Sequence, residues 1–509
     1  MRGALLVAGT GSDAGKSVVT AGICRWLRRQ GVRVAPFKAQ NMALNSVVTA
    51  GGAEIGRAQA AQAAAAGVDP EAAMNPVLIK PAGERRSHVM LMGRPFAEAD
   101  ARSYGPMREA LRETVLGALE DLRSRFDVVV CEGAGSPAEI NLRAGDLANM
   151  GLARAANLPV VIVGDIDRGG VFAGLFGCLA LLDPDDQRLV SAFLINKFRG
   201  DPGILRPGLD ELRDRTGRPT LGVLPWRRRL WLDVEDSLAL EAPREGGEPP
   251  RGPDALEVAV VRLRWMSNFT DVDALAAEPG VAVRFTRSPS DVERADLVVL
   301  PGTRATVDDL AALRGDGLDV ALARRAARGA PVLGVCGGYQ MLGGRIEDDV
   351  ESRSGVTRGL GLLPVETRFG EEKILRRRAG VAPWLGGAPA SGFEIRHGRV
   401  TRTGGDSLLE TETGDEGCRH GAVIGTSWHG LLEGDDVRRG LLGWAAAAAG
   451  RRWLAGDTPF AVVRERRLEA IGDLVADHVD TDALAALIDG GPPPGLPVLE
   501  TRSVEWAAP

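Results

Sequence analysis

The stretch Gly9–Ser17, GTGSDAGKS, follows an apolar run and opens a helical segment that ends at Gly31. This order of strand, glycine-rich loop and helix is typical of a phosphate-binding loop, because the glycines let backbone N–H groups point at phosphate oxygens and the helix N-terminus attracts negative charge. The strict pattern has glycine where this chain has Thr10, with Gly9 one position earlier. A plain glycine-rich turn is the alternative, but the Gly-Lys-Ser ending in this context favours a phosphate-binding loop.

The side chains of this loop and of two later strand ends predict a nucleotide and metal site. Lys16 is placed to reach the β- and γ-phosphates, and the Ser17 hydroxyl is placed to bind Mg²⁺. Glu132 ends an apolar strand that faces the loop, where a carboxylate suits Mg²⁺, although a position in a surface loop is its alternative. Asn196 ends another strand and is a candidate for contacting the base. The predicted nucleotide-binding residues are Gly9, Thr10, Gly11, Ser12, Gly15, Lys16, Ser17 and Asn196.

The first half of the chain alternates apolar runs with helical stretches, which predicts an α/β fold with a doubly wound parallel sheet. The runs are apolar almost throughout, as expected for strands buried on both faces. Ligands of such folds bind at the carboxyl ends of the strands, where the motifs above fall. Another strand end, Asp165–Gly170, leaves two interpretations open: a metal or anionic-substrate site, or a salt-bridged turn. The predicted strands are 4–8, 33–37, 128–131, 159–164, 192–196 and 221–224.

Residues 242–255 are predicted to form an interdomain linker, because their sequence begins APREGGEPPRGPD and lacks any periodic pattern. The linker separates an N-terminal domain, residues 1–241, from a second α/β domain, residues 256–490. An amphipathic pattern at residues 464–488 predicts one C-terminal helix in the second domain. Residues 491–509 are predicted to be a flexible tail. The predicted strands of the second domain are 257–263, 297–300, 331–335, 360–365 and 422–426.

The bulk composition argues against several classes of protein. The 509 residues carry a net charge of −6, and this mildly acidic balance argues against general nucleic-acid binding. No apolar run reaches the roughly 18 residues of a membrane span, and the N-terminus lacks the pattern of a signal peptide. The five cysteines are an odd number without a CxxC pair, which argues against disulfides and zinc and favours the cytoplasm. The sequence does not determine the oligomeric state.

Cys336 follows the apolar run PVLGV and precedes a helical stretch, which predicts a nucleophile elbow. Such a turn exposes the sulfur, and a helix N-terminus favours the thiolate. His429, beyond another strand, is the best candidate for the base among five histidines. Gly302, in the loop Leu300–Thr303, and Gly337 are candidates for the backbone N–H donors of an oxyanion hole. A core cysteine and a structural histidine are the alternatives, but the combination of these features favours catalysis.

Five further blocks of the first half are more specific than the phosphate-binding loop: FKAQNM at 37–42, EIGRAQ at 54–59, MNPVLIKP at 74–81, DIDRGGVF at 165–172 and NKFRGD at 196–201. Together with the motifs above, they resemble the glutamine-hydrolysing cobyric acid synthase family over nearly the whole chain. The first half resembles the dethiobiotin-synthetase-like phosphate-loop ATPases, and the second half resembles the class I glutamine amidotransferases. In this resemblance Cys336 matches the family nucleophile and His429 matches the family histidine.

The resemblance implies an ATP-dependent and glutamine-dependent amidation of the b, d, e and g carboxylates of adenosylcobyrinic acid a,c-diamide, which gives adenosylcobyric acid. Each step uses ATP, Mg²⁺ and ammonia from glutamine, through an acyl phosphate. A corrinoid carboxylate is therefore the implied small-molecule partner. Four polar residues are candidates for contacting the substrate because of their place beside the nucleotide loop. The alternative for each is the ordinary polarity of a loop or of a helix surface. These candidates are Lys38, Asn41, Asn45 and Arg57.

Two departures from the family pattern fall in the amidotransferase half. Many amidotransferases have a glutamate two residues after the histidine, where this chain has Leu431. Glu433 or Glu394 is then the candidate for orienting His429, unless no residue does. Phe393 stands where the family usually has tyrosine.

Two other functions compete with the implied one. The nearest is the related cobyrinic acid a,c-diamide synthase, which has an Asp-Tyr block where this chain has FKAQNM. The other is a nucleotide-switched, partner-binding ATPase. Such ATPases usually have a second lysine early in the phosphate-binding loop and lack an amidotransferase half, so the sequence favours neither alternative.

Overall fold

The computed structural model describes residues 1–81, 87–99, 104–227, 230 and 248–500. Of the predicted linker, residues 242–247 lie outside the described residues, as do residues 501–509 of the predicted tail. Within the described ranges, no helix is long and apolar enough to cross a membrane.

Twelve strands of the described residues belong to the N-terminal domain, and six of them form one sheet. The strands are β1 (Gly3–Gly9), β2 (Val34–Phe37), β3 (Gln40–Met42), β4 (Ser46–Val48), β5 (Glu54–Gly56), β6 (Val77–Pro81), β7 (Ser87–Leu91), β8 (Arg94–Ala99), β9 (Val128–Glu132), β10 (Val160–Asp165), β11 (Val190–Phe198) and β12 (Thr220–Pro225). The helices are α1 (Lys16–Arg29), α2 (Arg57–Ala66), α3 (Tyr104–Arg125), α4 (Met150–Ala156), α5 (Val171–Ala180), α6 (Pro184–Gln187) and α7 (Arg206–Thr216).

The central sheet of this domain has the order β12-β11-β10-β1-β9-β2, and all of its pairs are parallel. Two separate apolar clusters cover its two faces, which explains why its central strands are apolar almost throughout. This arrangement confirms the predicted doubly wound α/β fold. It also brings the carboxyl ends of β1, β9, β10 and β11 to one edge of the sheet.

The second domain has its own parallel sheet, in the order β14-β13-β15-β16-β24-β23, in which only β23 is antiparallel. Its strands are β13 (Leu256–Val261), β14 (Val281–Thr286), β15 (Leu297–Leu300), β16 (Val332–Val335), β17 (Arg345–Asp348), β18 (Gly355–Arg358), β19 (Val365–Ala382), β20 (Ala388–Arg402), β21 (Leu409–Thr411), β22 (Gly414–Glu416), β23 (Cys418–His420) and β24 (Val423–Thr426). Its helices are α8 (Asp273–Ala276), α9 (Pro289–Arg294), α10 (Thr306–Gly315), α11 (Leu318–Ala327), α12 (Gly337–Leu342) and α13 (Asp435–Ala448).

The strand predicted at 360–365 is wrong for all but its last residue. This segment is a loop whose backbone N–H groups bond the end of α12, as Leu362 does to the Leu342 carbonyl at 2.9 Å. Its apolar side chains are buried by that loop packing, so hydrophobicity alone did not distinguish it from a strand. The prediction also missed the long hairpin β19–β20, whose exposed face is rich in charge.

The predicted C-terminal helix is two helices, α14 (Phe460–His478) and α15 (Thr481–Gly490), because the Asp480 side chain caps the start of the second. Most of their buried residues pack on the N-terminal domain, although Phe460 at the start of α14 lies in an apolar cluster of the second domain. Ile471 and Val475 belong to the apolar cluster that covers one face of the N-terminal sheet, together with α1. The amphipathic pattern predicted an apolar face correctly, but it carries no information about which domain that face contacts.

The described part of the predicted flexible tail is anchored to the N-terminal domain. The Leu499 N–H donates to Gln187 Oε1 at 2.7 Å, and the Arg218 guanidinium donates to the Pro497 carbonyl. Up to residue 500, this proline- and glycine-rich segment is therefore irregular in structure but bonded to the surface of the N-terminal domain.

The crossing of α1 and α14 predicts a stability effect at Gly22. A Cβ atom there would lie 2.6 Å from Val475 Cγ2 and 2.8 Å from the Ile471 carbonyl. We expect Gly22→Ala to destabilise the folded state by about 1–3 kcal/mol through overpacking, despite the better helix propensity of alanine. The matched control is Gly117→Ala on the exposed face of α3, where a Cβ meets nothing within 4 Å. Thermal unfolding should show a lower melting temperature for the first variant alone; equal melting temperatures would contradict this packing.

Candidate active site

The phosphate-binding loop lies between β1 and α1, as the sequence predicts. Gly15 has φ 100°, a left-handed conformation that favours glycine, and a Cβ at this position would lie 2.0 Å from Asn196 Nδ2. Lys16 Nζ donates to the carbonyls of Gly11 at 2.8 Å and Gly135 at 3.0 Å. The lysine is thus held over the loop, at the position from which it would meet bound phosphates.

Asn196 contacts the loop itself. Its Nδ2 donates to the Ala14 carbonyl at 3.0 Å, and its Oδ1 accepts from the Lys197 N–H at 2.9 Å. These bonds brace the backbone of the phosphate-binding loop from the end of β11. A contact of Asn196 to the nucleotide base stays a prediction.

Glu132, the last residue of β9, is buried beside the loop, and three side chains donate hydrogen bonds to its carboxylate. Ser17 Oγ donates to Oε1 at 2.8 Å, Lys38 Nζ donates to Oε1 at 2.9 Å, and Gln62 Nε2 donates to Oε2 at 2.5 Å. Burial raises the pKa of Glu132, but the Lys38 charge and these hydrogen bonds outweigh it, so the pKa lies below its usual value. The carboxylate is therefore ionised and adjacent to the Ser17 hydroxyl.

The strand end Asp165–Gly170 is a salt-bridged turn in this structure. Lys197 Nζ donates to Asp165 Oδ2 at 2.7 Å, and Arg199 Nε donates to Asp167 Oδ1 at 2.8 Å. The geometry therefore shows the salt-bridged turn, one of the two interpretations that the sequence left open, with cationic partners from β11 and the loop after it, and a metal or anionic-substrate role stays a prediction.

The four candidate substrate residues are all buried, and they separate into two pairs. Lys38 and Asn41 lie within the N-terminal domain, where Asn41 Nδ2 donates to Gln59 Oε1 at 2.8 Å and Lys38 contacts Glu132. Lys38 therefore lies next to Glu132 beside the nucleotide loop, and the substrate role of this pair stays a prediction. The other pair, Asn45 and Arg57, faces the second domain.

Asn45 and Arg57 contact amidotransferase residues. Asn45 Oδ1 accepts from the Phe269 N–H at 3.1 Å, and the Arg57 guanidinium donates to Glu433. Glu433 also accepts from Arg464 at 2.9 Å. These bonds make Asn45 and Arg57 part of the domain interface, which a sequence-based choice by proximity to the phosphate loop did not anticipate.

Cys336 occupies a strained turn between β16 and α12, with φ 50° and ψ −109°. Strain of this kind in a non-glycine residue is typical of a nucleophile elbow. The glycines that follow allow the turn, since a Cβ at Gly338 would lie 2.0 Å from the Leu300 carbonyl and one at Gly337 would lie 2.6 Å from Thr303 Cγ2. The elbow is therefore packed directly on the loop that follows β15.

His429 lies next to Cys336 and is held by Asp271. His429 Nδ1 bonds Asp271 Oδ2 at 2.7 Å, and the Gly430 N–H donates to Asp271 Oδ1 at 2.8 Å. Burial lowers the pKa of His429, but the charges of Asp271 and Cys336 outweigh it and raise the pKa to about 10. His429 is therefore protonated at neutral pH and can pair with a Cys336 thiolate.

The sequence did not predict Asp271, and both of its candidates for orienting His429 are wrong. Glu433 is engaged by Arg57 and Arg464. Glu394 is engaged by arginines of the β19–β20 hairpin. Asp271 lies 158 residues before His429 in the short 3₁₀ helix Phe269–Val272, so no local spacing links the two.

The loop after β15 also places Gly302 against the catalytic pair. A Cβ at residue 302 would lie 2.8 Å from His429 Cε1, so only glycine lets the loop approach this closely. Gly337 packs against Thr303, the residue that follows Gly302, since a Cβ at Gly337 would lie 3.0 Å from the Thr303 nitrogen. The oxyanion role of Gly302 and Gly337 stays a prediction.

A cavity opens at Cys336 and His429 and is lined from both domains. Arg304 and Lys373 contribute cationic side chains from the second domain, and Lys80 contributes another from β6 of the first. The cavity therefore lies at the domain interface, next to the nucleophile.

These features define a class: a phosphate-loop nucleotide-binding domain joined to a glutamine amidotransferase domain with a cysteine–histidine pair. Residues 5–238 match the CobQ/CobB/MinD/ParA nucleotide binding domain, and residues 257–437 match the CobB/CobQ-like glutamine amidotransferase domain. The cobyric acid synthase of Frankia casuarinae is 61% identical, with 98% of this chain and 99% of that protein covered. Those of Streptomyces avermitilis and Saccharopolyspora erythraea are 60% and 58% identical, covering 98% and 97% of this chain and 99% and 96% of their own. The chain belongs to the cobyric acid synthase family.

The Asp271–His429 contact predicts a pH effect on glutamine hydrolysis. Asp271→Asn removes the charge that raises the pKa of His429, so the imidazolium is lost at a lower pH than the wild-type value of about 10. We expect kcat for glutamine hydrolysis to fall by on the order of 10²–10⁴-fold. We also expect the alkaline limb of its pH–rate profile to move toward neutral pH. Glutamate release measured across pH would detect both changes.

The control for this variant is Glu433→Gln, because Glu433 is the acidic residue closest in sequence to the position expected from other amidotransferases. Its alkaline limb should coincide with that of the wild type. A shifted limb in Glu433→Gln together with an unshifted limb in Asp271→Asn would show that the histidine is oriented in another way.

Proposed function

We propose that this protein converts the b, d, e and g carboxylates of adenosylcobyrinic acid a,c-diamide to amides, giving adenosylcobyric acid, at the expense of ATP and glutamine. The observation that carries the proposal is the combination of the Cys336–His429 site with a phosphate-binding loop in a chain that matches cobyric acid synthases over nearly its full length. The same similarity argues against the a,c-diamide synthase and the switch ATPase as alternatives. A cytoplasmic location is part of the proposal.

The N-terminal domain binds ATP through the backbone of Gly9–Ser17, with Lys16 on the terminal phosphates. Ser17 and Glu132 would hold Mg²⁺. The fit is good because a hydroxyl and an ionised carboxylate lie 2.8 Å apart at the mouth of the loop. Among the described residues, no group of three or more His, Cys, Asp or Glu side chains is arranged so that it could hold a metal ion. Mg²⁺ suits such a sparse site, since it keeps waters and binds substrate phosphates, whose developing charge it neutralises.

The activation step gives the acceptor carboxylate a leaving group. A carboxylate oxygen attacks the terminal phosphorus of ATP, ADP leaves, and an acyl phosphate forms. Ammonia then attacks the acyl carbon and phosphate leaves, which yields the amide. Lys38, which pairs with Glu132 beside the loop, and Asn41, which bonds Gln59 of α2 in the same domain, are proposed to contact the acceptor. Asn45 and Arg57 are left out of it, since both contact the amidotransferase domain.

The second domain supplies the ammonia. The Cys336 thiolate attacks the side-chain amide carbon of glutamine, and Gly302 and Gly337 N–H groups stabilise the oxyanion. As the carbon–nitrogen bond breaks, protonated His429 donates its proton to the leaving nitrogen, so ammonia and a thioester result. Neutral His429 then takes a proton from the attacking water, glutamate forms, and the thiolate is restored.

The variant Cys336→Ala tests the division of labour between the two domains. We expect amidation with glutamine to be lost and amidation with ammonium chloride to remain, because only the nitrogen supply needs the thiolate. Cys418→Ala is the matched control, since Cys418 is buried in the same domain and away from His429. Mass spectrometry of the corrinoid should show four successive amide conversions. Glutamine-dependent amidation by Cys336→Ala would contradict the assignment.

The variant Lys16→Ala tests the other half. We expect it to lose amidation with either nitrogen source, because no acyl phosphate forms without the phosphate contact of Lys16. Glutaminase activity, measured as glutamate release, should survive. Corrinoid amidation at the wild-type rate by this variant would contradict the role of the loop.

A further inference from the structure

Two asparagines join the domains in a reciprocal contact. Asn45 Oδ1, from the first domain, accepts from the Phe269 N–H at 3.1 Å, and Asn268 Oδ1, from the second, accepts from the Ser46 N–H at 2.9 Å. Asn45 is fully buried and Asn268 is 5% exposed. Each amide thus satisfies a buried backbone donor of the opposite domain, which would otherwise be left without a partner at a considerable free-energy cost.

On the amidotransferase side, this contact lies at the start of the 3₁₀ helix Phe269–Val272 that carries Asp271. Asn268 itself adopts a left-handed conformation, φ 51°, and its carbonyl accepts from the Asp271 N–H at 3.0 Å. A helix of a single turn has little internal stability, so its position depends on what holds its ends. Asp271 in turn holds His429 and the backbone of Gly430.

On the synthetase side, the same contact is tied to the segment beside the nucleotide loop. The Asn45 carbonyl accepts from the Arg57 N–H at 3.1 Å, and Lys80 Nζ donates to Ser46 Oγ at 2.9 Å. Asn45 lies three residues after the end of the strand β3, whose Asn41 is one of the candidate acceptor contacts. The chain of contacts therefore runs from the acceptor side of one domain to the histidine of the other.

We infer that Asn45 and Asn268 form an interdomain latch that positions Asp271, so that the glutaminase site is completed by the synthetase domain. The inference rests on the proposed glutaminase role of Cys336 and His429. Asn45 and Asn268 are positioning residues, because they act on the reacting atoms only through Asp271 and His429. Undocking of the Asn45 segment leaves the short helix without its anchor and slows glutamine hydrolysis.

The variant Asn268→Gly tests the latch with little backbone strain, because glycine accepts the left-handed conformation while the Ser46 partner is lost. We expect kcat for glutamine hydrolysis to fall by on the order of 10- to 100-fold, since a small displacement of a catalytic group has effects of this size. The alkaline limb of the rate should move toward neutral pH, as in Asp271→Asn. The pH midpoint of this limb reports the pKa of His429 in active molecules. Partial unfolding would lower the rate but would not shift this midpoint, because unfolded molecules are inactive.

Two further variants and a control define the effect. Asn268→Asp keeps an acceptor oxygen and tolerates the left-handed conformation, so it should restore most of the activity. Asn45→Ala removes the other half of the latch, and combining it with Asn268→Gly should cost less than the sum of the two. Asn157→Gly is the matched control, because Asn157 is also left-handed, φ 50°, but is exposed at the end of α4. It should hydrolyse glutamine at the wild-type rate.

The latch is overturned if Asn45→Ala and Asn268→Gly keep the wild-type kcat and alkaline limb while Asp271→Asn is impaired. If Cys336→Ala also hydrolyses glutamine normally, the proposed function fails instead, so the two failures are distinguishable. Ammonia-dependent amidation, which does not need His429, should fall less than glutamine-dependent amidation in both latch variants. An equal fall in both activities would also contradict a role through Asp271.

Discussion

The hydrogen bond between buried His429 and Asp271 is the interaction on which the rest of the active site depends. A buried imidazolium without a carboxylate partner would be strongly disfavoured, and the bond makes a charged histidine possible beside Cys336. The backbone around the ring is also fitted to His429. Only glycine at position 302 lets its loop approach the ring so closely, and the backbone of Phe393 pairs with that of His429. The elbow at Cys336 supplies the reacting atom, and this bond keeps His429 protonated beside it.

Parallel sheets impose the second constraint, since each sheet gathers its strand ends at one edge. The nucleotide site forms at the ends of β1 and β9, and the glutaminase site forms at the ends of β16 and β24. The domains meet so that Lys80 of the first lines the cavity at Cys336 of the second. The helices α14 and α15 then return to the N-terminal sheet, so the polypeptide chain ties both domains together at two places.

Local sequence patterns predicted the elements whose periodicity reflects their burial, which include all six strands of the first parallel sheet. They did not predict the hairpin β19–β20, because exposed charged residues interrupt the apolar positions of β19. The segment 360–365 shows the opposite error, since a buried loop has the same apolar composition as a short strand. The destination of α14 could not be predicted, because an apolar face is complementary to either domain.

For the site, the sequence predicted residues that follow directly from motif and context: Lys16, Ser17, Glu132, Cys336 and His429. It did not predict Asp271, which is one of 68 acidic residues and meets His429 only through the tertiary fold. The four candidate substrate residues show the same limit, because their partners in the tertiary fold do not follow from their positions in the sequence. Proximity in sequence to the phosphate-binding loop did not separate residues with partners in the first domain from residues that contact the second domain.

Labelled nitrogen tests most directly whether ammonia released at the glutaminase site is used to amidate the corrinoid. The wild-type protein would be given ATP, Mg²⁺, adenosylcobyrinic acid a,c-diamide and glutamine labelled at its side-chain amide with the heavy nitrogen isotope. We expect every new amide of the corrinoid to carry the label, because glutamine supplies its nitrogen. Labelled ammonia in solution beside a corrinoid of unchanged mass would contradict it, because the two sites would then not serve one reaction.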